Sequence, residues 1–545
     1  MSAAAAVLTE RGLDRSLLPA SATVQRPRNP EHGDYASALA LQLAGKAGLP
    51  APELARAIAD KLTGDPAIRS VDIAGPGFLN IRLHAAAAGQ IAGQVVEQGS
   101  RYGHGTGLTG QRLNLEFVSS NPVGPVHVGG ARWAAVGDAL ARLLRAQCAE
   151  VATEYYFNDA GVQIDVFARS LLAAARRQLV PDDGYAGEYI GEIAQEVLAA
   201  HPGTAGLPDE AAVNVFRTTG VALMLGQIKT SLADFGVHFD RYYSERDLHA
   251  SGQIEVALAR LSRAGHTYRA DGATWVRTTR FGDDRDRVYI RSNGDYTYFA
   301  ADCAYYLDKR ARGFGRVIII LGADHHGYLG RMRAMAACFG DDPDQTLEIL
   351  IGQLVSLFRD GQPVRLSKRA GTVITLADLT DAVGADAARY ALARYSMDAP
   401  IELDLDLWAR RSNDNPVYYV QYAHARICSL LRRATEYGIS RGSSYDPALL
   451  SHPQENDLAK ALAAFPGVVA MAAGQRQPHR VARYLEDLAG TYHRFHDSCR
   501  ILPRGGDDHD TSPGLAAARL WLASATRIVL AHGLDLLGVT APDRL

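Results

Sequence analysis

Leu113-Asn-Leu-Glu-Phe-Val-Ser-Ser-Asn-Pro-Val-Gly-Pro-Val-His-Val-Gly-Gly130 is the stretch on which the fold turns. Leu113 and Leu115 alternate with Asn114 and Glu116, so residues 113–118 read as a strand with inward and outward faces. Asn121, Pro122, Gly124 and Pro125 make a turn, and a helix starts near Gly129 and runs through Leu144. Strand, glycine-rich turn and helix is the geometry that offers free backbone N–H groups and a positive helix end to a phosphate. Gly129 and Gly130 let a ring or phosphate approach without a Cβ clash, and His127 has a ring N–H to donate. Taken alone, the same residues also suit a plain β–α turn with two packing glycines.

A second segment, Val364-Arg-Leu-Ser-Lys-Arg-Ala-Gly371, follows a helix and the turn Asp360-Gly-Gln-Pro363. Arg365, Ser367, Lys368 and Arg369 place charged or hydroxyl side chains within five positions, a composition that can fold over a triphosphate. The Lys368 ammonium would neutralise charge moving onto a leaving pyrophosphate. An ordinary basic surface loop has the same composition.

Around these segments lies an ordinary globular chain. Its 545 residues suggest three or four domains, and 47% hydrophobic with 21% charged residues excludes disorder, collagen and disulfide scaffolds. Only 6 of the 57 basic residues are lysine, so each lysine inside a motif stands against a compositional bias. The five cysteines are far apart and form no C-x-x-C, which fits a reducing cytoplasm and supports neither zinc knuckle nor disulfide framework. The longest apolar runs, such as Val317–Leu321, are strand-length, so no membrane span is expected. Glu10 and Arg11 soon interrupt the run Ala3–Ala6, which reads poorly as a signal peptide.

Three regimes follow one another. Residues 1–108 mix short helices with the turn-rich Ala74-Gly-Pro-Gly-Phe78 and the alternating strand 78–83, a small α+β domain. Residues 109–385 alternate strands and helices, the pattern of an α/β domain with a parallel sheet, interrupted by an insertion at about 170–290. Residues 386–545 read as a connector followed, from about 410, by a helical region, with Val420, Ala423, Ile427 and Leu430 on one buried stripe and several arginines beside them.

The His-x-Gly-x turn and the Ser-Lys loop about 240 residues later resemble the paired "HIGH" and "KMSKS" signatures of class I aminoacyl-tRNA synthetases. Further segments narrow the resemblance to bacterial arginyl-tRNA synthetases. These are Asn114–Pro122, Glu154-Tyr-Tyr-Phe-Asn-Asp159, Leu321-Gly-Ala-Asp-His-His-Gly-Tyr328, Gly384–Tyr390, Asn415–Arg426 and the ending Leu537–Arg544. Glu31-His-Gly-Asp-Tyr35 and the Ala-Gly-Pro-Gly-Phe piece resemble that family's extra N-terminal domain.

The resemblance implies a Rossmann-type catalytic domain with an insertion, an N-terminal domain touching the tRNA corner and an all-α anticodon-binding domain. It implies ATP-dependent ligation of L-arginine to its tRNA through an arginyl-adenylate. Catalysis falls to His127, Gly129, Gly130, Arg365, Ser367 and Lys368. Arginine binding falls to Glu116, Asn121, Tyr298, Asp302 and His325, and tRNA binding to Tyr35, Phe78, Tyr418, Tyr422 and Arg426. A guanidinium's five-donor fork suits carboxylate acceptors. Mg²⁺ is expected to arrive with ATP, with no tightly bound cofactor and no protein metal site. The expected protein is a cytoplasmic monomer, away from membranes, with arginine, ATP and arginine tRNA as partners. Asp324-His325-His326 is also the signature of a metal-dependent phosphoesterase family, whose further Asp and His motifs the sequence lacks.

Four positions depart from the family pattern. Gly130 stands where the family has its second histidine, Arg365 and Leu366 replace lysine and methionine in the loop, and Ala38 replaces a frequent asparagine. Arginine keeps the charge but changes its geometry, and Arg132 is a candidate substitute for the missing histidine. A duplicate enzyme kept for resistance to an arginine-mimicking inhibitor, or a non-catalytic tRNA-binding paralogue, are the alternatives these departures raise.

Overall fold

The run beginning at Leu113 forms the central strand, β5 (Arg112–Glu116), of a five-stranded sheet. β6 (Glu150–Phe157) and β7 (Arg241–Ser244) lie on one side of it, β11 (Arg316–Gly322) and β12 (Leu347–Gly352) on the other, and every pairing is parallel. The strand order reverses between β5 and β11, and ligands of open α/β sheets bind at the carboxyl end of such a switch point. The structure is a computed structural model that describes all residues except 20, 21, 26, 28, 85–88, 160, 324–326, 365–373 and 503–511.

The strand expected to have an outward face has none. Asn114 and Glu116 are buried like Leu113 and Leu115, because helices cover both faces of a parallel sheet. The helix Val128–Ala146 follows β5, and it is buried along most of its length.

The expected insertion at about 170–290 is not one unit. Three helices, Val162–Ala175, Glu188–Ala200 and Asp209–Asp234, pack together. The chain then returns to the main sheet as β7, paired with β6 from Glu154↔Arg241 to Phe157↔Ser244. It leaves again for an antiparallel sheet of β8 (Thr267–Ala270), β9 (Ala273–Val276) and β10 (Arg287–Ile290). β7 has four residues and sits among helices, too short for its alternation to register.

The N-terminal domain is a four-stranded antiparallel sheet in the order β1 (Val24–Gln25), β2 (Tyr35–Ser37), β4 (Phe78–Leu83), β3 (Ile68–Ala74). Its separate core joins Leu39, Leu43, Leu54 and Ile58 from two helices to Leu79 of β4. That core ends near residue 83, not 108. The next helix, Ile91–Gln98, packs on the last helix of the chain, Pro513–Leu536, and Ala92 and Val95 join the main core.

β13 (Val355–Arg359) pairs with β14 (Gln362–Pro363) and, in parallel, with β15 (Ile401–Asp404), so the segment after residue 386 begins with a strand as well as helices. Four long helices complete the chain: Pro416–Glu436, Pro453–Gly474, His479–Ser498 and Pro513–Leu536. Val420, Ala423, Ile427 and Leu430 are buried as the stripe predicts. Contrary to the sequence reading, Pro453–Gly474 and Pro513–Leu536 are long and apolar enough to cross a membrane by length and composition. Leu458, Leu462, Phe465, Leu520, Leu522, Val529 and Leu530 on these helices are core residues.

Candidate active site

The helix Val128–Ala146 begins with its own histidine as cap. His127 Nδ1 accepts from the N–H groups of Gly129 (3.1 Å) and Gly130 (3.3 Å), and the Val128 N–H donates to the carbonyl of Ile374 (3.1 Å). The backbone donors expected to face a phosphate are therefore occupied, because orphan N–H groups at a helix start take the nearest acceptor. An acceptor Nδ1 puts the ring proton on Nε2, so His127 itself is the donor at this end. A Cβ at Gly129 would lie 2.9 Å from His127 Cε1, and one at Gly130 3.1 Å from Val126 Cγ1. The two glycines make room for the cap and for a packing contact.

Ile374–Leu376 runs antiparallel to Val126–Val128, with the Leu376 N–H on the Val126 carbonyl (2.7 Å) and a bridge between His127 and Thr375. Thr375 and Asp378 then form a capping box that starts the next helix. The chain thus returns from the Ser-Lys loop directly beside His127. Arg365, Ser367 and Lys368 themselves lie outside the described residues, as do Asp324, His325 and His326.

Carboxylates gather at the carboxyl ends of β5, β6 and β7. Glu116 accepts from Lys309 Nζ and from Ser119 Oγ (2.9 Å). Lys309 is only 1% exposed, stacks over the Tyr305 ring at 4.2 Å and lies 3.9 Å from Glu154. Burial opposes the charge on Glu154, but Lys309, Arg312 and Tyr305 together hold its carboxyl below the usual range. Asp302 lies on the helix Tyr298–Ala311, with Arg331 Nη2 at 3.4 Å. Burial pushes its carboxyl up to about 7, against the pull of Arg331 and with the push of Glu245 and Glu116.

Glu245, directly after β7, accepts from the Tyr156 hydroxyl (2.6 Å) and lies 3.8 Å from His249 Nε2. Burial raises its pKa. Among the described residues no lysine or arginine pairs with it, whereas Glu116 has Lys309 and Asp302 has Arg331. The sequence reading did not single out Glu245, because β7 fell inside the supposed insertion. Lys309, Tyr156 and Arg331 were missed as well.

The other expected residues take these places. Asn121 donates to Gln163 (2.6 Å) and accepts from the Asn158 N–H (3.3 Å), which fixes the turn after β5. Tyr298 is 66% exposed at the helix start, one turn before Asp302. Arg132 does not substitute for the missing histidine. It is fully buried, donates to the carbonyls of Gln353 (2.6 Å), Ser396 and Ala399 (2.9 Å each), and burial pushes its pKa down to about 10.

Tyr418 and Tyr422 stack at 6.2 Å on the helix Pro416–Glu436, and Arg426 one turn on meets His493 (3.2 Å). Phe78 is 41% exposed on β4 and Tyr35 lies on the neighbouring strand β2.

Three family models match the chain: Arginyl tRNA synthetase N terminal domain over residues 3–83, tRNA synthetases class I (R), catalytic domain over 231–397, and DALR anticodon binding domain over 420–545. An arginine–tRNA ligase of Kineococcus radiotolerans is 56% identical over 542 residues, 99% of this chain and 97% of that protein. A solved chain from Campylobacter jejuni is 31% identical with a TM-score of 0.77, over 85% of this chain and 100% of that one. The Thermus thermophilus arginyl-tRNA synthetase shares the fold, with a TM-score of 0.76 at 24% identity over 100% of this chain and 99% of that one. Identity of this depth over nearly the whole length, with all three models in order, means that the chain belongs to the arginyl-tRNA synthetase family.

Proposed function

We infer that the chain joins L-arginine to its cognate tRNA in an ATP-dependent reaction, as a working ligase of protein synthesis. The observation that carries this reading is a juxtaposition at the carboxyl end of one sheet. There Glu116, Glu245 and Asp302 lie close enough to act on one another's charge, and the helix capped by His127 follows β5 with Ile374–Leu376 paired against its start.

In the first step the arginine carboxylate attacks the α-phosphorus of ATP, forming arginyl-adenylate and releasing pyrophosphate. Glu245 and Asp302 hold the guanidinium, with Tyr298 at the mouth, and Glu116 shapes the wall through Lys309. Lysine cannot fill a pocket whose acceptors expect a fork, so unpaired acceptors penalise it. His127 Nε2–H, Arg365, Ser367 and Lys368 meet the phosphates, Gly129 and Gly130 serve through the cap, and His325 belongs near the substrate. Mg²⁺ enters as part of the ATP substrate. In the second step the 3′-terminal ribose hydroxyl of the tRNA attacks the adenylate carbonyl and AMP leaves. Such chemistry is positioning plus charge stabilisation.

The N-terminal sheet presents Tyr35 and Phe78 to the tRNA corner, and the helical bundle presents Tyr418, Tyr422 and Arg426 to the anticodon arm. All these surfaces lie on one chain, which supports a monomer, and five unpaired cysteines support the cytoplasm.

Arginine-dependent exchange of pyrophosphate into ATP, measured with and without arginine tRNA, tests the reading. Absence of exchange even with tRNA ends it. Lys368→Ala is expected to lower the exchange rate by at least ~10²-fold; near-normal exchange would leave the loop without a part in the chemistry.

A further inference from the structure

Arg331 occupies an unusual position for an arginine in a protein that binds arginine. It lies on the helix Tyr328–Cys338, and its side chain is 14% exposed. Its guanidinium lies 3.5 Å from the centre of the Tyr328 ring. One nitrogen, Nη2, reaches one oxygen, Asp302 Oδ2, at a long 3.4 Å, and its buried Nε has no hydrogen-bond acceptor among the described residues. Asp302 keeps 30% of its side-chain surface open.

We propose that Arg331 is a positioning residue for arginine recognition, holding the Asp302 carboxylate from one side and leaving its second oxygen to the substrate guanidinium. The inference rests on the reading of Asp302 as a ligand of the substrate.

The geometry favours this over a plain structural ion pair. A largely buried Arg–carboxylate pair frequently closes as a two-point fork at about 2.7–2.9 Å, and this protein makes such a fork elsewhere, while its other single long Arg–Asp contacts lie at the exposed surface. Arg394 holds Glu486 by Nε at 2.7 Å and Nη2 at 2.9 Å. Arg331 takes a single long contact, while the tyrosine ring holds its plane. A carboxylate has about four lone-pair sites across two oxygens, so most of its accepting capacity stays available.

The charge environment explains why a cation is needed there. Asp302 faces Glu245 from the segment after β7, Glu116 from β5 and the Tyr156 hydroxyl from β6, and neighbours Cys303 on its own helix. These carboxylates oppose its ionisation, and Arg331 is the cation that opposes them. Without Arg331 the empty site would hold a protonated carboxyl, and arginine would have to displace that proton in order to bind.

The test uses the full-length enzyme and steady-state aminoacylation with arginine tRNA across pH 6 to 9. Arg331→Met is expected to raise the arginine KM roughly tenfold at pH 7, with kcat at saturating arginine changed less than about threefold. The pH below which the arginine KM climbs should move up by about one unit, the shift equivalent to a tenfold change. Arg331→Lys should recover part of both effects, which a merely structural loss would not show. An arginine KM and pH profile like those of the parent overturn the proposal, as does a fall in kcat with no change in arginine KM. Asp302→Asn separates the two layers. If it leaves the arginine KM unchanged, the reading of Asp302 falls; if it raises KM while Arg331→Met does not, only the proposal falls.

Discussion

Asp302 titrates where physiological pH can reach it, because burial lifts its carboxyl to about 7 against the pull of Arg331. Substrate arginine keeps its guanidinium charge throughout, so binding requires the ionised carboxylate. The arginine KM of the parent enzyme should therefore be level above pH 8 and rise toward tenfold per unit below pH 7. The profile should flatten in Asp302→Asn, and a level parent profile down to pH 6 would place Asp302 outside the pocket. The stability sign is opposite to that of a salt-bridged carboxylate: a carboxyl raised in the folded state costs stability as pH rises from the ordinary carboxylate range through 7. At this scale the sequence was readable where a turn motif carried the residue, as with His127 at the start of its helix. It was silent where burial gives the residue its role. The scarcity of lysine pointed to Lys368, yet Lys309 is the lysine seated between Glu116 and Glu154. A lysine on a helix looks the same in sequence whether it reaches water or is locked inside.

The helix Val128–Ala146 serves two purposes through one side chain, and substitution can separate them. His127 caps the helix through Nδ1 and carries its proton on Nε2. Asparagine is a strong cap with no donor in the Nε2 position. His127→Asn should keep the unfolding midpoint near the parent's while exchange falls at least ~10-fold, and His127→Ala should add about 1 kcal/mol of destabilisation. If His127→Asn exchanges pyrophosphate at the parent's rate, the histidine is a cap and nothing more. The elements read well from sequence were those with both a strong period and turn residues at their ends, such as β5 with Asn121–Pro125 behind it. β7 and β15 have four residues each, and β7 takes its place from pairing with β6 rather than from its own pattern. The catalytic carboxyl end of the sheet was therefore seen at β5 and missed at β7, and Glu245 was missed with it.

Across the whole molecule, the domains are tied by contacts that no local pattern announces. Composition divides the chain near residue 108, while packing divides it near 83, because the helix Ile91–Gln98 finds its partner more than four hundred residues away on Pro513–Leu536. Arg389 is one such fastening. It is 1% exposed, donates to the Phe235 carbonyl at 2.7 Å and the Leu537 carbonyl at 3.2 Å, and pairs with Asp138 on the His127 helix. One guanidinium thus joins the helix Val128–Ala146, the approach to β7 and the end of the helix Pro513–Leu536. Gly538 takes a left-handed φ of +66°, and a Cβ there would lie 1.9 Å from Arg389 Nη2. Arg389→Met leaves the Phe235 and Leu537 carbonyls without this donor and leaves Asp138 to Arg142 alone, a loss of roughly 1–3 kcal/mol. It should lower the thermal midpoint by roughly 1–3 °C. Gly538→Ala should act in the same direction by pushing the guanidinium off its acceptors, and combining the two should cost less than the sum, since both break one junction. Calorimetry of the two single variants and the double variant decides it: additive losses would mean that Gly538 and Arg389 act at separate joints. An unmoved midpoint in Arg389→Met would mean that apolar packing and the remaining ties, Arg142 to Asp535 and Arg476 to Glu348, hold the C-terminal helices to the catalytic sheet without it.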